Sequence, residues 1–163
     1  MACLKGNIDE VQRLGTLERA RQQDWRGKTP LHVACQKGHT MVAKLLVEEF
    51  GAVVDVEDNH GATALHLACS GGHAECAELL CNAQGTAVVA RATDGYTALH
   101  RACMKGHSAV VRLLVSEQGA TVEARSKHGE TPLHKACAGG HSAVARLLVH
   151  ELGATESDYV IKK

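Results

Sequence analysis

The tetrapeptide Thr29-Pro30-Leu31-His32 returns as Thr63-Ala64-Leu65-His66, as Thr97-Ala98-Leu99-His100 and as Thr131-Pro132-Leu133-His134, each time after 34 residues. Other columns keep the same step. Ala34-Cys35 recurs at 68-69, 102-103 and 136-137; Gly38-His39 recurs as Gly72-His73, Gly106-His107 and Gly140-His141; Leu45-Leu46 recurs as Leu79-Leu80, Leu113-Leu114 and Leu147-Leu148. A chain built this way has little choice of fold. Burying the few Leu and Val side chains of one unit yields roughly 1.5 to 3 kcal/mol each, whereas ordering its backbone costs about 1 to 2 kcal/mol per residue. One unit cannot stand alone, so the copies must stack into an array in which each touches only its neighbours.

The fixed columns have local reasons. Thr29 suits the N-cap of a short helix, and Pro30 at its first position gives up only an N–H that would be unpaired. Gly38 supplies the left-handed residue that closes this helix. Thr40, Ser108 and Ser142 are expected to cap a second helix through the Leu pair, with Ala74 giving the second copy a weaker start. Gly51, Gly85, Gly119 and Gly153 end the second helix, and Val53-Val54 and Val88-Val89 read as short extended stretches leading to turns at Gly61 and Gly95. The unit is turn, helix, turn, helix.

The run G-x-T-P-L-H-x-A-C-x-x-G-H, followed by Leu-Leu and Gly-Ala, resembles the ankyrin repeat family over residues 24 to 159. The resemblance implies an all-α repeat solenoid of stacked helix-turn-helix units joined by short hairpin-like turns, forming one continuous domain. Its divisions fall at 1–23 for a partial N-terminal capping repeat, then 24–57, 58–91, 92–125, and 126–163 for the last repeat with its tail. Two features depart from the family pattern. Cys35, Cys69, Cys103 and Cys137 stand where a second Ala is usual, and each unit carries one extra residue before Gly-Ala, as in Val47-Glu48-Glu49-Phe50, which should lengthen the second helix or its exit. Residues 2–14 place Gly6-Asn7 where the full copies have Gly-His, and Glu10 and Arg13 where they have Val42 and Leu45, the pattern of a polar end cap. Met1 falls within the first helix of that partial repeat, as in a piece of a longer protein. The last repeat keeps Val144 and Leu147 with no polar substitution, so they are expected to be uncovered and to favour fraying or end-to-end self-association.

Composition narrows the function classes. With 45% hydrophobic residues the chain can pack a core, yet one Trp, one Phe and two Tyr leave that core to Leu, Val, Ala and Cys, which suits closely spaced helices. Eighteen basic residues balance 18 acidic ones, so overall charge points to neither nucleic acid nor a membrane surface. No stretch approaches the ~20 apolar residues of a membrane span, and the first residues have no signal-like apolar core. Seven cysteines, an odd number, fit a reducing compartment better than a secreted disulfide framework, so a cytoplasmic or otherwise intracellular place is expected.

His32, Cys35 and His39 lie within eight residues and recur four times, which invites a metal or redox reading. Eight of the 11 histidines are only the two repeat columns, and the family resemblance makes them framework residues bonded around the turns. Equivalent positions on stacked helices lie roughly 8 to 10 Å apart, too far for a disulfide, which needs Cα atoms within about 7 Å. The cysteines read as small core residues. No phosphate loop and no Ser, His and acid set appears in a supporting context. Neither an enzymatic activity, a catalytic residue, a metal nor a cofactor is expected. A metal or redox protein using the His and Cys columns, and an anion or nucleic-acid binder using a basic face, stand as alternatives.

Residues that differ between copies while the framework stays fixed are the candidates for binding: Trp25, Arg26, Lys28, Gln36 and Lys37; Asn59, His60 and Ser70; Thr93, Asp94, Tyr96, Met104 and Lys105; Lys127, His128 and Glu130. In the ankyrin family the matching turn tips and inner helices line a concave surface that holds partners. Trp25 and Tyr96 are the expected anchors, with the other reading of Trp25 being a cover for the junction with the first partial repeat. On this face Arg26, Lys28, Lys37, Arg91, Arg101, Lys105, Arg125, Lys127 and Lys135 stand against Asp24, Glu57, Asp58, Asp94 and Glu130, nine against five. That excess fits an acidic partner or a solvated mixed-charge surface. The implied partner is another protein or peptide, with no small-molecule substrate, no membrane and nucleic acid disfavoured.

Overall fold

The computed structural model of the chain describes residues 6–9, 12, 17–83 and 88–155. They are helical, with no strand among them. After a short helix α1 (Leu17–Arg21) come four helix pairs: α2 (Pro30–Lys37) with α3 (Thr40–Glu48), α4 (Ala64–Gly71) with α5 (Ala74–Asn82), α6 (Ala98–Lys105) with α7 (Ser108–Arg112), and α8 (Pro132–Ala138) with α9 (Ser142–His150). The first helices lie side by side, α2 on α4 on α6 on α8, and the second helices stack behind them. The array is an all-α solenoid.

Each first helix begins in the same way. Thr29, Thr63, Thr97 and Thr131 are N-caps in extended backbone, and the residue three on is His rather than the usual acid of a capping box. In the first copy the Thr29 N–H donates to His32 Nδ1 at 3.1 Å, and the His32 N–H donates to Thr29 Oγ1 at 3.4 Å. Gly38, Gly72 and Gly106, at φ 72°, 76° and 78°, close the first three of these helices with their N–H groups bonded back to the last turn.

The second helices start differently from the sequence-based expectation. Thr40, Ala74, Ser108 and Ser142 are already the first helical residues, and the cap position belongs to His39, His73, His107 and His141, none of which makes a side-chain cap bond. The left-handed glycine turns the chain so tightly that the next residue is the cap, so Ala74 costs the second copy nothing its neighbours have. Thr40 instead sends its hydroxyl towards the next pair, 3.4 Å from Glu75 Oε2 and 3.3 Å from Cys76 Sγ. Val53-Val54 and Val88-Val89 do not form extended stretches; Val54, Val88 and Val89 lie in turns.

The extra residue per unit appears at the exit of the second helix. The N–H groups of Phe50, Gln118 and Leu152 reach back five residues to the carbonyls of Leu45, Leu113 and Leu147. In the third pair this widening becomes a π-helical turn over Leu113–Glu117.

The core is one continuous seam of repeat columns. Leu31, Leu65 and Leu99, with Ala34, Ala68, Ala102 and Ala136, are buried between first helices; Val42, Cys76, Val110 and Val144, with Leu46, Leu80, Leu114 and Leu148, are buried under the second. Alanine in the tightest column is what lets the backbones approach. Gly6, at φ 65°, lies against the His39 ring, as Gly38 lies against His73. The polar cap residues Glu10 and Arg13 lie outside the described residues.

At the other end Val144 and Leu147 are not uncovered. Both are buried, because they face back into the stack. His134, Cys137 and Ala145 are half-open there, whereas their counterparts His32, His66, His100, Cys35, Cys69, Cys103, Ala43, Ala77 and Val111 are covered by a following unit.

Candidate functional site

Successive turns are tied to one another by backbone. Each hairpin-like turn is closed by a bond across its base, Asp24 N–H to Lys28 C=O, Asp58 to Ala62, Ala92 to Tyr96 and Ser126 to Glu130. Neighbouring tips then join: the N–H groups of Asn59, Thr93 and Lys127 donate to the carbonyls of Arg26, His60 and Asp94 at 3.0, 2.9 and 3.1 Å. Asp24 and Asp58 brace their turns by accepting two backbone N–H groups each. Those two N–H groups hold the Asp24 carboxyl below the usual range, the Lys28 bond contributing most. The third turn has Ala92 in this place and Asp94 takes over, accepting the Tyr96 N–H at 2.9 Å.

Histidines complete the ties. His32, His66 and His100 approach the carbonyls of Ala62, Tyr96 and Glu130 in the following turn through Nε2, at 3.1, 3.1 and 3.0 Å. A carbonyl only accepts, so Nε2 carries the hydrogen and Nδ1 is the lone pair facing the Thr N–H. Burial pushes all three imidazoles below their ordinary pKa. In the other column His107 and His141 donate from Nε2 to the Ser70 and Met104 carbonyls of the preceding unit. Among the described residues no group of three or more His, Cys, Asp and Glu side chains is placed to hold a metal.

This frame encloses a groove of about 960 Å³ between the first three turn tips and the helices α4 and α6. It brings together eight of the sixteen candidates: Trp25, Arg26 and Lys28 form one wall, Asn59, His60 and Ser70 the middle, Thr93 and Asp94 the far wall. The hollow exists because the second pair carries small residues, Ala62 and Ser70, where the first has Lys28 and Gln36 and the third has Tyr96 and Met104. Asp58, Ala62, His66, Leu67 and Arg101 line it as well. Leu67 was not among the candidates although its column reads Val33, Leu67, Arg101, Lys135, a variability that marks a surface position.

Gln36, Lys37, Tyr96, Met104, Lys105, Lys127, His128 and Glu130 do not line the groove. Tyr96 is engaged inside the molecule: its hydroxyl donates to Glu130 Oε2 at 2.6 Å, its ring stacks on His100 at 5.4 Å, and Lys135 and Arg101 sit over it at 4.7 and 5.2 Å. Lys135 bonds Glu130 at 2.8 Å, and with the Tyr96 hydroxyl it holds that carboxyl down to about 2. Trp25 behaves in the opposite way. It is 81% exposed, with the Arg26 guanidinium 4.4 Å from its ring centroid, so it covers no junction.

Several cations counted on this face are already spent on the frame. Arg101 pairs with Asp94 at 2.6 Å, Lys135 with Glu130, Arg91 donates to the Gly95 and Arg125 carbonyls, and Arg125 to the Gly129 carbonyl. Arg26 stacks on Trp25 and the Lys28 ammonium donates to the neutral Gln36 amide at 2.9 Å, so both bring positive charge to the wall beside Trp25.

A family model described as ankyrin repeats in three copies matches the chain over residues 1–92 and 85–159. A comparison with curated proteins finds no match.

Proposed function

Because the chain belongs to the ankyrin repeat family, whose repeats are generally protein–protein interaction modules, we propose that it is a binding scaffold that takes an acidic segment of a partner protein in the groove between its first three turn tips and the helices α4 and α6. The observation that carries this reading is Trp25. A large aromatic 81% exposed at the rim of a groove, flanked by Arg26 and Lys28, is the side chain type most often found to dominate interface energetics. The partner is to lay an apolar side chain into the hollow over Leu67 and Ser70 and to set carboxylates against Arg26 and Lys28. The two cations would act mainly on encounter rate and partner choice, because they stay at a wet rim.

The test uses the retained protein from a pull-down with the whole chain, followed by calorimetry on single variants. Trp25→Ala should cost about 2 kcal/mol or more of binding, and Lys28→Glu should slow association and weaken its salt dependence. Glu78→Ala on the exposed back of α5 should change neither. Loss of binding in the α5 variant with none in the Trp25 variant would place the partner on the opposite face.

A further inference from the structure

Trp25 and Arg26 are the two central residues of a turn closed by the Gly27 N–H on the Asp24 carbonyl at 2.9 Å. The peptide bond between the central residues is the part of such a turn that can rotate, and the rotated form needs a positive φ at the third residue. Arg26 does not have one. Both sides of this peptide are held. Its N–H donates to Asp24 Oδ1 at 2.9 Å, and its carbonyl, that of Trp25, accepts from Asn59 Nδ2 at 3.1 Å. A carbonyl only accepts, so the amide nitrogen of Asn59 is the atom that faces it. The amide oxygen lies over Gly27, where a Cβ would stand 2.5 Å from it. Asn59 thus spends two donors on two successive carbonyls, its backbone N–H on Arg26 at 3.0 Å and its side chain on Trp25. The third tip is tied otherwise. There Thr93 turns both its N–H and its hydroxyl onto one carbonyl, that of His60, at 2.9 and 2.8 Å.

We propose that Asn59 is the positioning residue of the groove: through the Trp25 carbonyl it locks the peptide between Trp25 and Arg26, so that indole and guanidinium meet a partner already in their bound arrangement. This rests on the groove being the binding face and adds which residue sets its rim. The two side chains the lock presents are stacked on each other at 4.4 Å, although Trp25 is exposed and little else holds it. Ordering a tip at the moment of contact subtracts from binding, and a tip ordered beforehand avoids that loss. The lock comes from the neighbouring unit, one repeat step away, so the stacking of the first two helix pairs and the aim of the rim depend on one another.

The test separates the lock from the tie between tips. Asn59→Thr copies the third tip, turning both donors onto the Arg26 carbonyl, so the stack should keep its melting temperature while the Trp25 carbonyl passes to water. Backbone nitrogen relaxation of the free chain reads the lock with no partner present. The order parameter of the Arg26 N–H should fall from about 0.85 towards about 0.6, with the Trp25 indole N–H following and the Thr93 N–H unchanged. Asn59→Ala should show the same loss. With the protein that the wild-type chain retains in a pull-down, Asn59→Thr should weaken affinity roughly three- to tenfold, the range of one hydrogen bond. An Arg26 order parameter that keeps its wild-type value in Asn59→Thr overturns the lock. Wild-type affinity with a loosened tip, or weakened affinity with a tip as rigid as before, overturns its part in binding. Binding that survives Trp25→Ala counts against the groove as the binding face, and the relaxation result still decides the lock.

Discussion

His32, His66 and His100 each use both ring nitrogens, one to accept from a capping Thr and one to donate to the next turn, and this works only for the neutral ring. Protonation would put a second hydrogen where the Thr N–H already points. Their folded pKa values lie below the unfolded reference of ~6.5, so the unfolded chain binds more protons as pH falls. The stability they support is present above that pH and is lost as pH drops through ~6.5 towards the folded values. Thermal unfolding midpoints should fall from pH 7 to pH 5, and a level profile would contradict the tautomer assigned here. Tyr96 yields a second expectation. Tyr96→Phe removes the bond to Glu130, which should cost about 1 kcal/mol of stability and leave groove binding unchanged, read by denaturant titration beside calorimetry. In the sequence Trp25 and Tyr96 look alike, two aromatics in variable columns. What separates them is Glu130 and Lys135, 34 and 39 residues beyond Tyr96, which occupy its hydroxyl and ring; no local pattern announces that contact.

The helix pairs themselves were readable because each boundary is set by a residue with a narrow backbone repertoire: Thr at the cap, Gly in the left-handed corner. The corners carry a further constraint that period alone does not reveal. A Cβ on Gly72 would stand 2.6 Å from His107 Nδ1, whereas one on Gly140 would meet nothing within 4 Å among the described residues, although both have similar φ, 76° and 73°. Gly140→Ala should therefore cost only the left-handed strain, about 1 to 2 kcal/mol. Gly72→Ala adds a clash with a ring that is bonded to the Ser70 carbonyl, so its loss should be at least twice as large. Equilibrium unfolding of the two variants tests this, and equal losses would mean that the His107 ring moves aside freely. The start of the second helices departs from the local cap preference for a related reason. Ser and Thr are good caps in isolation, but here the corner geometry assigns that place to His.

In the assembled stack, interior units are covered on two sides and the last described pair on one. His134, Cys137 and Ala145 are half-open where their counterparts are buried, so α8 and α9 should show the lowest hydrogen-exchange protection of the four pairs. Protection that is uniform across α2 to α9 in a monomer would argue that something covers that end. The solenoid was legible as a period of 34. The groove was not, because its depth depends on which small residues meet which large ones across neighbouring units, and Ala62 beside Ser70 has no meaning until the turns are in register. That register has a genetic consequence. The ties between neighbours span fixed sequence separations, from Arg26 to Asn59 at the tips, His32 to Ala62 below them, and Ser70 to His107 behind, and all recur after 34 residues. Adding or removing one whole unit leaves every such tie its partner, while a change of half a unit orphans a histidine, a tip and a glycine corner together. Over generations a molecule like this one changes length in whole steps, as a staircase does.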